Sequence, residues 1–190
     1  MLLEDKPIAF YLFGIATNFF NSKGYIQIEV PWIISSKASM TTSPSIQHVY
    51  HADLVREHFI GSAEQGFIQL IYDQSPKLKP DEYYFAISPC FRRDKPDELH
   101  SRWFMKLELF ALLPNMRGND VVAHFKRDAA TLHKFLFDVD MEFAANGDLE
   151  FNGIEYGSYG IREIGKQSYV YGTGLALPRA QLLFDYSETE

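Results

Sequence analysis

Residues 91–108 read Phe-Arg-Arg-Asp-Lys-Pro-Asp-Glu-Leu-His-Ser-Arg-Trp-Phe-Met-Lys-Leu-Glu, and this stretch joins two apolar segments. These segments, Tyr83 to Ser88 and Trp103 to Leu113, are rich in aromatic and aliphatic residues. Between them, Arg92 to Ser101 is polar and contains turn-forming residues. The pattern therefore predicts two antiparallel strands with a long, highly charged connection.

The second of these strands carries a candidate binding face. Side chains alternate across a strand, so Phe104, Lys106 and Glu108 share one face. The opposite, core-facing set is Met105, Leu107 and Leu109. Phe104 offers a stacking plane to a base, and Glu108 offers a carboxylate to a substrate ammonium or hydroxyl. Arg92, at the end of the preceding strand, can clamp a phosphate or carboxylate. A salt-bridged hairpin with an ordinary solvated face stays open as the alternative.

Outward from this hairpin, the N-terminal region predicts a helix followed by a strand. Apolar residues recur at helical spacing from Pro7 to Phe20, and Gly24 follows as a helix stop. Tyr25 to Val30 alternates apolar and polar side chains before Pro31, as a half-buried strand does. Residues 35–63 are rich in Ser, Thr, Pro and His, which predicts a long loop region with short strands.

The C-terminal half predicts one long helix and further strands. The helix is expected to begin at Asn119 or Asp120 and to run to about Ala145. Its inward face is expected to hold Val121, Val122, Phe125, Leu132, Phe135, Leu136 and Val139. Ile154 to Ile161 and Ser168 to Tyr171 predict strands. The fold class expected from all these elements is α+β, with a mostly antiparallel β-sheet flanked by helices.

A glycine-containing stretch near the C-terminus, Tyr171 to Arg179, reads Tyr-Gly-Thr-Gly-Leu-Ala-Leu-Pro-Arg. Gly172 and Gly174 could keep one face of a strand bare so that a flat ligand approaches the backbone. A short helix is expected from Pro178, and Arg179 at its start could cover an adenine or meet its phosphates. The alternative left open is that the two glycines mark a bulge or a tight bend.

Length and composition limit the classes of function. The chain has 190 residues, 46% of them hydrophobic, so a single domain spanning residues 1–190 is expected. The formal net charge of −7 gives no general attraction for a nucleic acid. Cys90 is the only cysteine, which excludes an internal disulfide and a thiolate zinc cluster. The acidic N-terminus and the lack of a long apolar run predict a cytoplasmic protein with no membrane partner.

Three segments in a fixed order resemble the motifs of class II aminoacyl-tRNA synthetases. The first helix with Gly24 to Pro31 is similar to the first motif. Residues 91–94 and 100–108 are similar to the second, a Phe-Arg-x-Glu loop followed by His-x-x-x-Phe-x-x-x-Glu. Gly172 to Arg179 corresponds to the third, Gly-x-Gly-x-Gly-x-Glu-Arg. The resemblance spans nearly the whole chain. It implies the fold of class II synthetases and biotin ligases, a homodimer joined through the first motif, and ATP and Mg²⁺ as cofactors.

The resemblance also implies roles for individual residues. ATP would be bound by Arg92, Asp94, His100, Arg102, Phe104, Gly172, Gly174 and Arg179, of which Arg92 and Arg179 are the catalytic cations. Phe104 and Arg179 would enclose the adenine, and Asp94 would meet its amino group. His100 and Arg102 would reach the outer phosphates. The amino acid would be bound by Ser62, Glu64, Arg92 and Glu108, since Ser62-Ala63-Glu64 is similar to the family's Thr-x-Glu loop. Mg²⁺ would be held by Glu155 and Ser158, in a stretch similar to the family's Glu-x-x-Ser.

The chain departs from the family's second and third motifs at three positions. Asp94, Ala176 and Pro178 stand where Glu, Gly and Glu are usual. The motifs resemble those of seryl and asparaginyl enzymes, and the Leu-Ala-x-x-Arg end of the third motif is similar to the seryl pattern. Residues 155–162 are similar to a stretch of ammonia-dependent asparagine synthetase.

The resemblance implies activation of an amino acid as its adenylate. No anticodon-binding domain is expected within residues 1–190, and with the negative charge this argues against independent charging of tRNA. A tRNA, a carrier protein, a protein side chain and ammonia all stay open as the acceptor, and the sequence does not name the amino acid. Two alternatives are a paralogue that senses an amino acid or nucleotide without turnover and a structural dimerisation module.

Overall fold

The computed structural model of the chain describes residues 2–43, 45–52, 56–113 and 117–184. The α-helices in these residues are α1 (Tyr11–Ser22), α2 (Ser36–Met40), α3 (Ala63–Tyr72) and α4 (Gly118–Phe137). The strands in the same residues are β1 (Ile26–Gln27), β2 (Ile33–Ser35), β3 (Glu57–Phe59), β4 (Tyr83–Phe91), β5 (Trp103–Leu112), β6 (Glu142–Phe143), β7 (Leu149–Phe151), β8 (Ile154–Gly157), β9 (Tyr159–Ile164) and β10 (Gln167–Leu177). None of the helices in the described ranges combines the length and the apolar character that crossing a membrane requires.

A five-stranded sheet forms the centre of the fold, with strand order β1-β4-β5-β10-β9. β1 runs parallel to β4, and the other neighbours in this sheet are antiparallel. The expected hairpin is confirmed, because β4 and β5 pair from Tyr83 opposite Ala111 to Phe91 opposite Trp103. Smaller sheets pair β2 with β3 and join β6, β7 and β8. The predicted class, α+β with a mostly antiparallel sheet flanked by helices, is therefore confirmed.

Two apolar layers cover the two faces of the central sheet. The first contains α1 and α4, where Phe20 and Phe125 are completely buried. The second contains α3, where the ring of Phe67 stacks on that of Phe110 with centroids 4.4 Å apart. Alternation along β5 supplies both layers, because Leu109 belongs to the first and Phe110 to the second.

The face of β5 that meets α3 is apolar at one end and polar at the other. Phe110 packs in the α3 layer, whereas Phe104, Lys106 and Glu108 lie on the same face nearer the start of the strand. The N-terminal turn of α3 lies at the border, because the Ala63 N–H donates to the Glu108 carboxylate. This face of β5 therefore changes from apolar to polar at the N-terminal turn of α3.

Several predicted elements are shorter or divided in the structure. β1 contains two residues of the predicted strand Tyr25 to Val30, after which the Ile28 N–H still donates to the Phe85 carbonyl. The predicted strand 154–161 is divided at Ser158 into β8 and β9. The last helix is a 3-10 helix, Arg179–Leu183. Within the predicted loop region 35–63, residues 44 and 53–55 lie outside the described residues.

Two helices differ more strongly from the sequence pattern. The pattern does not predict α3, because the buried polar residues Glu64 and Gln65 interrupt its apolar stripe. The helix expected to reach Ala145 ends at Phe137, where the next residue adopts a left-handed conformation with φ of 55°. Phe135 was expected to face inward, yet it is 69% exposed.

Candidate active site

Two cavities open on the polar end of β5, and they share a wall. The α3 cavity has a volume of about 260 Å³ and is lined by residues that include Gly61, Ser62, Glu64, Gln65, Glu108, Arg162 and Tyr171. The β10 cavity has a volume of about 140 Å³ and is lined by residues that include Leu99, His100, Phe104, Glu155, Ala176 and Arg179. Four residues line both cavities and form the shared wall: Arg92, Asp94, Lys106 and Ser158. A ligand in one cavity can therefore meet a ligand in the other at this wall.

The predicted site residues divide between the two cavities according to their expected roles. The residues expected to hold an amino acid all line the α3 cavity: Ser62, Glu64, Arg92 and Glu108. Most of those expected to hold ATP or magnesium line the β10 cavity: Arg92, Asp94, His100, Phe104, Glu155, Ser158 and Arg179. Segments far apart in the sequence thus come together around two cavities, and Arg92, Asp94 and Ser158 line both of them.

Arg92 lies in the shared wall and is oriented by its neighbours. Its Nε donates to the Gly61 carbonyl at 2.9 Å, and its guanidinium carbon lies 5.1 Å from the centre of the Phe104 ring. Gly61 is held in turn by Gln65, whose side-chain oxygen accepts from the Gly61 N–H at 2.8 Å. The terminal NH₂ groups of Arg92 have no hydrogen-bond partner among the described residues, so they remain available to an anionic ligand.

Glu108 is a buried carboxylate with several donors around it. The Ser62 hydroxyl lies 2.7 and 2.8 Å from its two oxygens, the Ala63 N–H donates to it, and the Lys106 ammonium lies at 2.9 Å. Burial acts to raise the pKa of Glu108, but the Lys106 charge, the Ser62 hydroxyl and Arg92 lower it below its ordinary value. Glu108 is therefore a stable negative charge in the wall of the α3 cavity.

Glu64 is the second buried carboxylate of the α3 cavity, and two strands supply its partners. Arg162 of β9 donates through one nitrogen that lies 2.8 Å from each oxygen, and the Tyr169 hydroxyl of β10 donates at 2.8 Å. Arg162 and Tyr169 stand directly opposite each other in the sheet. Burial raises the pKa of Glu64 above its ordinary value, although Arg162 and Tyr169 act to lower it. This carboxylate consequently takes up a proton more readily than Glu108.

Gln65 organises the loop beside the α3 cavity. Its side-chain nitrogen donates to the Ser39 carbonyl at 3.1 Å and to the hydroxyls of Thr42 and Ser43 at 3.0 Å each. Thr42 and Ser43 line the cavity. Because Gln65 also accepts from the Gly61 N–H, one buried amide fixes both this loop and the segment that orients Arg92.

The β10 cavity places an aromatic ring and a guanidinium in one pocket. Phe104 and Arg179 both line it. Arg179 is anchored to backbone carbonyls, because its Nε and one terminal nitrogen donate to Leu99 at 2.9 and 2.7 Å and the other donates to Glu155 at 3.2 Å. Burial lowers the pKa of Arg179 below its ordinary value, but a guanidinium keeps its charge at neutral pH. A planar aromatic ligand in this pocket would meet both groups.

Two acidic side chains and one serine complete the predicted set. Asp94 lies in the shared wall, with one oxygen 3.7 Å from the His48 ring. Glu155 and Ser158 both line the β10 cavity. The Ser158 N–H donates to the Thr173 hydroxyl at 3.3 Å, and the Ser158 carbonyl accepts from the Thr173 N–H at 3.1 Å. No group of three or more His, Cys, Asp or Glu suited to a metal exists among the described residues. One carboxylate and one hydroxyl nevertheless fit Mg²⁺, which is usually held by one or two protein oxygens together with substrate phosphates.

Three predicted residues lie outside both cavities in the described part of the chain: Arg102, Gly172 and Gly174. Arg102 donates twice to the Glu4 carboxylate, at 3.0 and 3.1 Å, and its side chain is 55% exposed. Each glycine makes room for a core side chain instead of a ligand. An added Cβ would lie 2.6 Å from the Tyr159 ring at Gly172 and 2.5 Å from Leu107 at Gly174. The pairing of β10 with β5 shifts at Gly174, which is the bulge left open as the alternative.

Some residues of the site have no predicted role. Arg162 and Tyr169 reach Glu64 only because β9 and β10 pair, and sheet pairing cannot be read from one sequence. Lys106 was placed on the binding face by the alternation of β5, but its contact with Glu108 and its position in the shared wall come from the structure. Four cations and four carboxylates thus line the two cavities, in the described residues: Arg92, Lys106, Arg162, Arg179, Glu64, Asp94, Glu108 and Glu155.

Comparison with known proteins identifies the fold of this chain through similar solved structures. No protein-family model and no curated protein matches the sequence. A pyrrolysyl-tRNA synthetase from Desulfitobacterium hafniense is 16% identical with a TM-score of 0.75, over 97% of this chain and 72% of its own. Another structure from Desulfitobacterium hafniense, PylSc, a pyrrolysyl-tRNA synthetase, is 17% identical with a TM-score of 0.72, and the match covers 97% of this chain and 69% of the PylSc chain. A cytoplasmic serine-tRNA ligase from Naegleria fowleri in complex with AMP is 16% identical with a TM-score of 0.68, and the match covers 94% of this chain and 53% of the ligase chain. The chain therefore has the fold of class II synthetase catalytic domains.

Proposed function

We propose that this protein activates a free amino acid with ATP, forming an aminoacyl-adenylate and releasing pyrophosphate. The observation that carries the proposal is the shared wall. Its residues Arg92, Asp94, Lys106 and Ser158 separate a cavity with two buried carboxylates from one with an aromatic ring and a guanidinium. An amino acid in the first cavity would present its carboxylate to the α-phosphate of a nucleotide in the second.

The β10 cavity would hold the nucleotide. Phe104 and Arg179 would enclose the adenine, which suits a π system that accepts both an aromatic face and a guanidinium. Asp94 would accept from the exocyclic amino group. His100, whose Nδ1 lies 2.9 Å from the Asp97 carboxylate, would meet the outer phosphates. Arg102 would join them only by leaving Glu4, so its predicted contact with ATP requires a rearrangement.

The α3 cavity would hold the amino acid. Its volume of about 260 Å³ suits a ligand of amino-acid size, since pockets for larger ligands occupy roughly 300–1,000 Å³. The substrate ammonium would meet Glu64 and Glu108, and the Ser62 hydroxyl would orient Glu108. Each carboxylate already has a cationic partner, Arg162 or Lys106. A zwitterion suits this arrangement, because its ammonium can replace a cation and its carboxylate can accept from the cation that is displaced.

The reaction requires alignment and charge neutralisation. A carboxylate oxygen of the amino acid forms a bond to the α-phosphorus, and the bond from that phosphorus to the bridging oxygen of the β-phosphate breaks. The electron pair leaves with pyrophosphate, and no proton has to be removed because the carboxylate is already ionised. Arg92 would stabilise the charge that develops on the α-phosphate. Mg²⁺ held by Glu155 and Ser158 would neutralise phosphate charge.

Association into a homodimer through α1 and β1 forms part of the same proposal. β1 lies at the edge of the central sheet, and its Ile26 is an exposed apolar side chain, as are Tyr11 of α1 and Ile33 of β2. Exposed apolar groups beside a free sheet edge are typical of a subunit interface.

The proposed reaction ends at the aminoacyl-adenylate. A tRNA, a carrier protein, a protein side chain and ammonia are all chemically competent acceptors for the activated amino acid.

Pyrophosphate exchange tests the proposed activity. Purified protein is incubated with ATP, Mg²⁺, labelled pyrophosphate and each of the twenty amino acids in turn. We expect label to enter ATP with one amino acid or a small group, and we expect Arg92→Ala to abolish this exchange while its circular dichroism spectrum is unchanged. Absence of exchange with all twenty would contradict the proposal. Binding of ATP by calorimetry without any exchange would instead support the alternative of a sensing paralogue.

A further inference from the structure

Lys106 is an ammonium group held between the two cavities, and one hydrogen bond joins it to the part of the chain that the structure describes. Its side chain is 13% exposed, and its Nζ lies 2.9 Å from Oε1 of Glu108. An ammonium has three donors, and this is its one hydrogen-bond partner among the described residues. The remaining two donors can meet an anionic ligand at the shared wall, because Lys106 lines both cavities.

Glu108 does not depend on Lys106 for its hydrogen bonds. The Ser62 hydroxyl and the Ala63 N–H already donate to it, and it stands at the N-terminus of α3, where a negative charge is favourable. A second ammonium, carried by a substrate, could therefore replace Lys106 without leaving Glu108 unpaired. Replacement would free the Lys106 side chain.

The geometry of β5 gives the freed side chain somewhere to go. Phe104, Lys106 and Glu108 follow one another on the same face, with Glu108 lining the α3 cavity and Phe104 lining the β10 cavity. Alternate residues of a strand are about 7 Å apart, and a lysine ammonium on its flexible stem covers a comparable distance. Lys106 can therefore turn from Glu108 toward the nucleotide while the backbone stays in place.

We propose that Lys106 is a further catalytic cation beside Arg92 and Arg179, held by Glu108 while the α3 cavity is empty and released to the α-phosphate when a substrate ammonium takes its place on Glu108. This rests on the proposed function. The amino acid thereby strengthens the binding of the nucleotide, and the nucleotide strengthens that of the amino acid by the same factor. When ATP is bound without an amino acid, its α-phosphate is met by Arg92 but not by Lys106, which limits reaction of the nucleotide with water.

Calorimetric titration with Mg-ATP in the absence of any amino acid tests the release directly. Glu108→Gln removes the charge that holds Lys106, so we expect it to bind ATP about fivefold or more tightly than the wild type. Lys106→Met should change this affinity by less than about twofold, because Lys106 is held away from the nucleotide in the wild type. The double variant should show no gain.

Two results of the titration would overturn the proposal. One is an unchanged affinity in Glu108→Gln. The other is a gain that persists in the double variant, because it would come from loss of the Glu108 charge alone. Since no amino acid is used, the titration can succeed where pyrophosphate exchange fails, so the two proposals fail separately.

Pyrophosphate exchange provides a second arm that does not require Glu108→Gln to fold. With the amino acid that gives the highest exchange, Lys106→Met should lower kcat by about 100-fold, the effect of removing one charged donor from a transition state. Its KM for ATP should change much less. Lys106→Arg, which keeps the charge, should recover at least about tenfold of the loss. Equal losses in the two variants would show that Lys106 is needed only for packing.

Discussion

At the scale of single residues, the two buried carboxylates of the α3 cavity have pKa values that are shifted in opposite directions. The pKa of Glu108 is lowered, because the Lys106 ammonium, the Ser62 hydroxyl and the Ala63 N–H surround its carboxylate. The pKa of Glu64 is raised, because the effect of burial is larger than the opposing effects of Arg162 and Tyr169. In the proposed function, Glu108 would be the constant anchor for a substrate ammonium. Arg162 and Tyr169 favour the ionised form of Glu64.

Tyr169→Phe tests this dependence. The variant removes the hydroxyl that donates to Glu64 at 2.8 Å but keeps the ring, which packs in the α3 layer. We expect the KM for the amino acid to rise several-fold, and to rise further toward acidic pH, because the pKa of Glu64 increases again. The free energy of unfolding should fall by about 1–3 kcal/mol.

Tyr84→Phe is the matched control for that variant. Tyr84 packs in the same α3 layer and its hydroxyl donates to the Glu82 carboxylate, but among the described residues neither of the two lines a cavity of the site. The control should leave the KM for the amino acid and its pH dependence nearly unchanged. Similar kinetic changes in both variants would mean that the Tyr169 hydroxyl has no special part in holding Glu64.

Arg179 provides a residue-scale test of the nucleotide site. Arg179→Ala removes a guanidinium anchored to the Leu99 and Glu155 carbonyls at the β10 cavity. We expect its affinity for Mg-ATP, measured by calorimetry, to fall by about tenfold or more, since a desolvated cation–π contact contributes about 2 kcal/mol. Arg127→Ala on α4 is the control, because Arg127 lies outside both cavities in the described residues. An unchanged affinity in Arg179→Ala would place the adenine elsewhere.

At the scale of secondary-structure elements, two helical glycines make a matched pair. An added Cβ at Gly66 of α3 would lie 2.8 Å from the Val30 side chain and 2.9 Å from the Pro31 carbonyl. At Gly14 of α1 it would meet nothing within 4 Å. Gly66→Ala should therefore destabilise the protein by about 1–3 kcal/mol, and Gly14→Ala should stabilise it by about 0.5–1 kcal/mol. Urea unfolding measures both, and a gain in each variant would contradict the close approach of α3 to Val30 and Pro31.

A buried histidine in α4 links stability to pH. His133 is fully buried, and its Nδ1 donates to the Ala129 carbonyl at 2.9 Å. Burial lowers the pKa of His133 to about 4. The unfolded chain takes up a proton below about pH 6.5 and the folded chain only below about pH 4. Stability is therefore present above the unfolded pKa and is lost as the pH falls, by about 3 kcal/mol in all.

His133→Gln isolates this contribution, because glutamine can donate to the same carbonyl and does not titrate. Urea unfolding at about pH 7 and about pH 4.5 should show a larger loss of stability in the wild type than in the variant. The comparison removes effects of Asp128, a buried residue of the same helix that both proteins retain. Equal losses in the two proteins would show that His133 is accessible to protons in the folded state.

An element was easier to predict from the sequence when its apolar side chains follow the helix or strand period than when buried polar residues of the candidate site interrupt that period. The β4–β5 hairpin was predicted because its alternation sets the two layers of the sheet. Helix α3 was missed because its residues Glu64 and Gln65 are polar although they are buried, so they interrupt the apolar stripe of the helix. Both residues line the α3 cavity. The end of α4 was placed too late because the apolar residues after it, such as Val139, are buried without being helical.

At the scale of the whole molecule, the net charge conceals a local balance. The chain carries a formal charge of −7, yet the charged groups of the two cavities comprise four cations and four carboxylates in the described residues. Local cations can bind a nucleotide that the average charge repels. The grouping of these charges was predicted in part from motif order. The convergence of Arg162, Tyr169 and Glu64 was not, because it joins a helix with two strands about 100 residues away.

Association of two chains can be measured by light scattering. If α1 and β1 form a subunit interface, light scattering at micromolar concentration should give twice the chain mass. Ile26→Lys on β1 would place a charge at the sheet edge where a partner would pair, so this variant should give the mass of one chain. Phe143→Lys alters an apolar residue of similar exposure on β6, in a different sheet, and should remain dimeric. A wild type with the mass of one chain would exclude the interface, and dissociation of the Phe143 variant instead would place the contact on the β6 sheet.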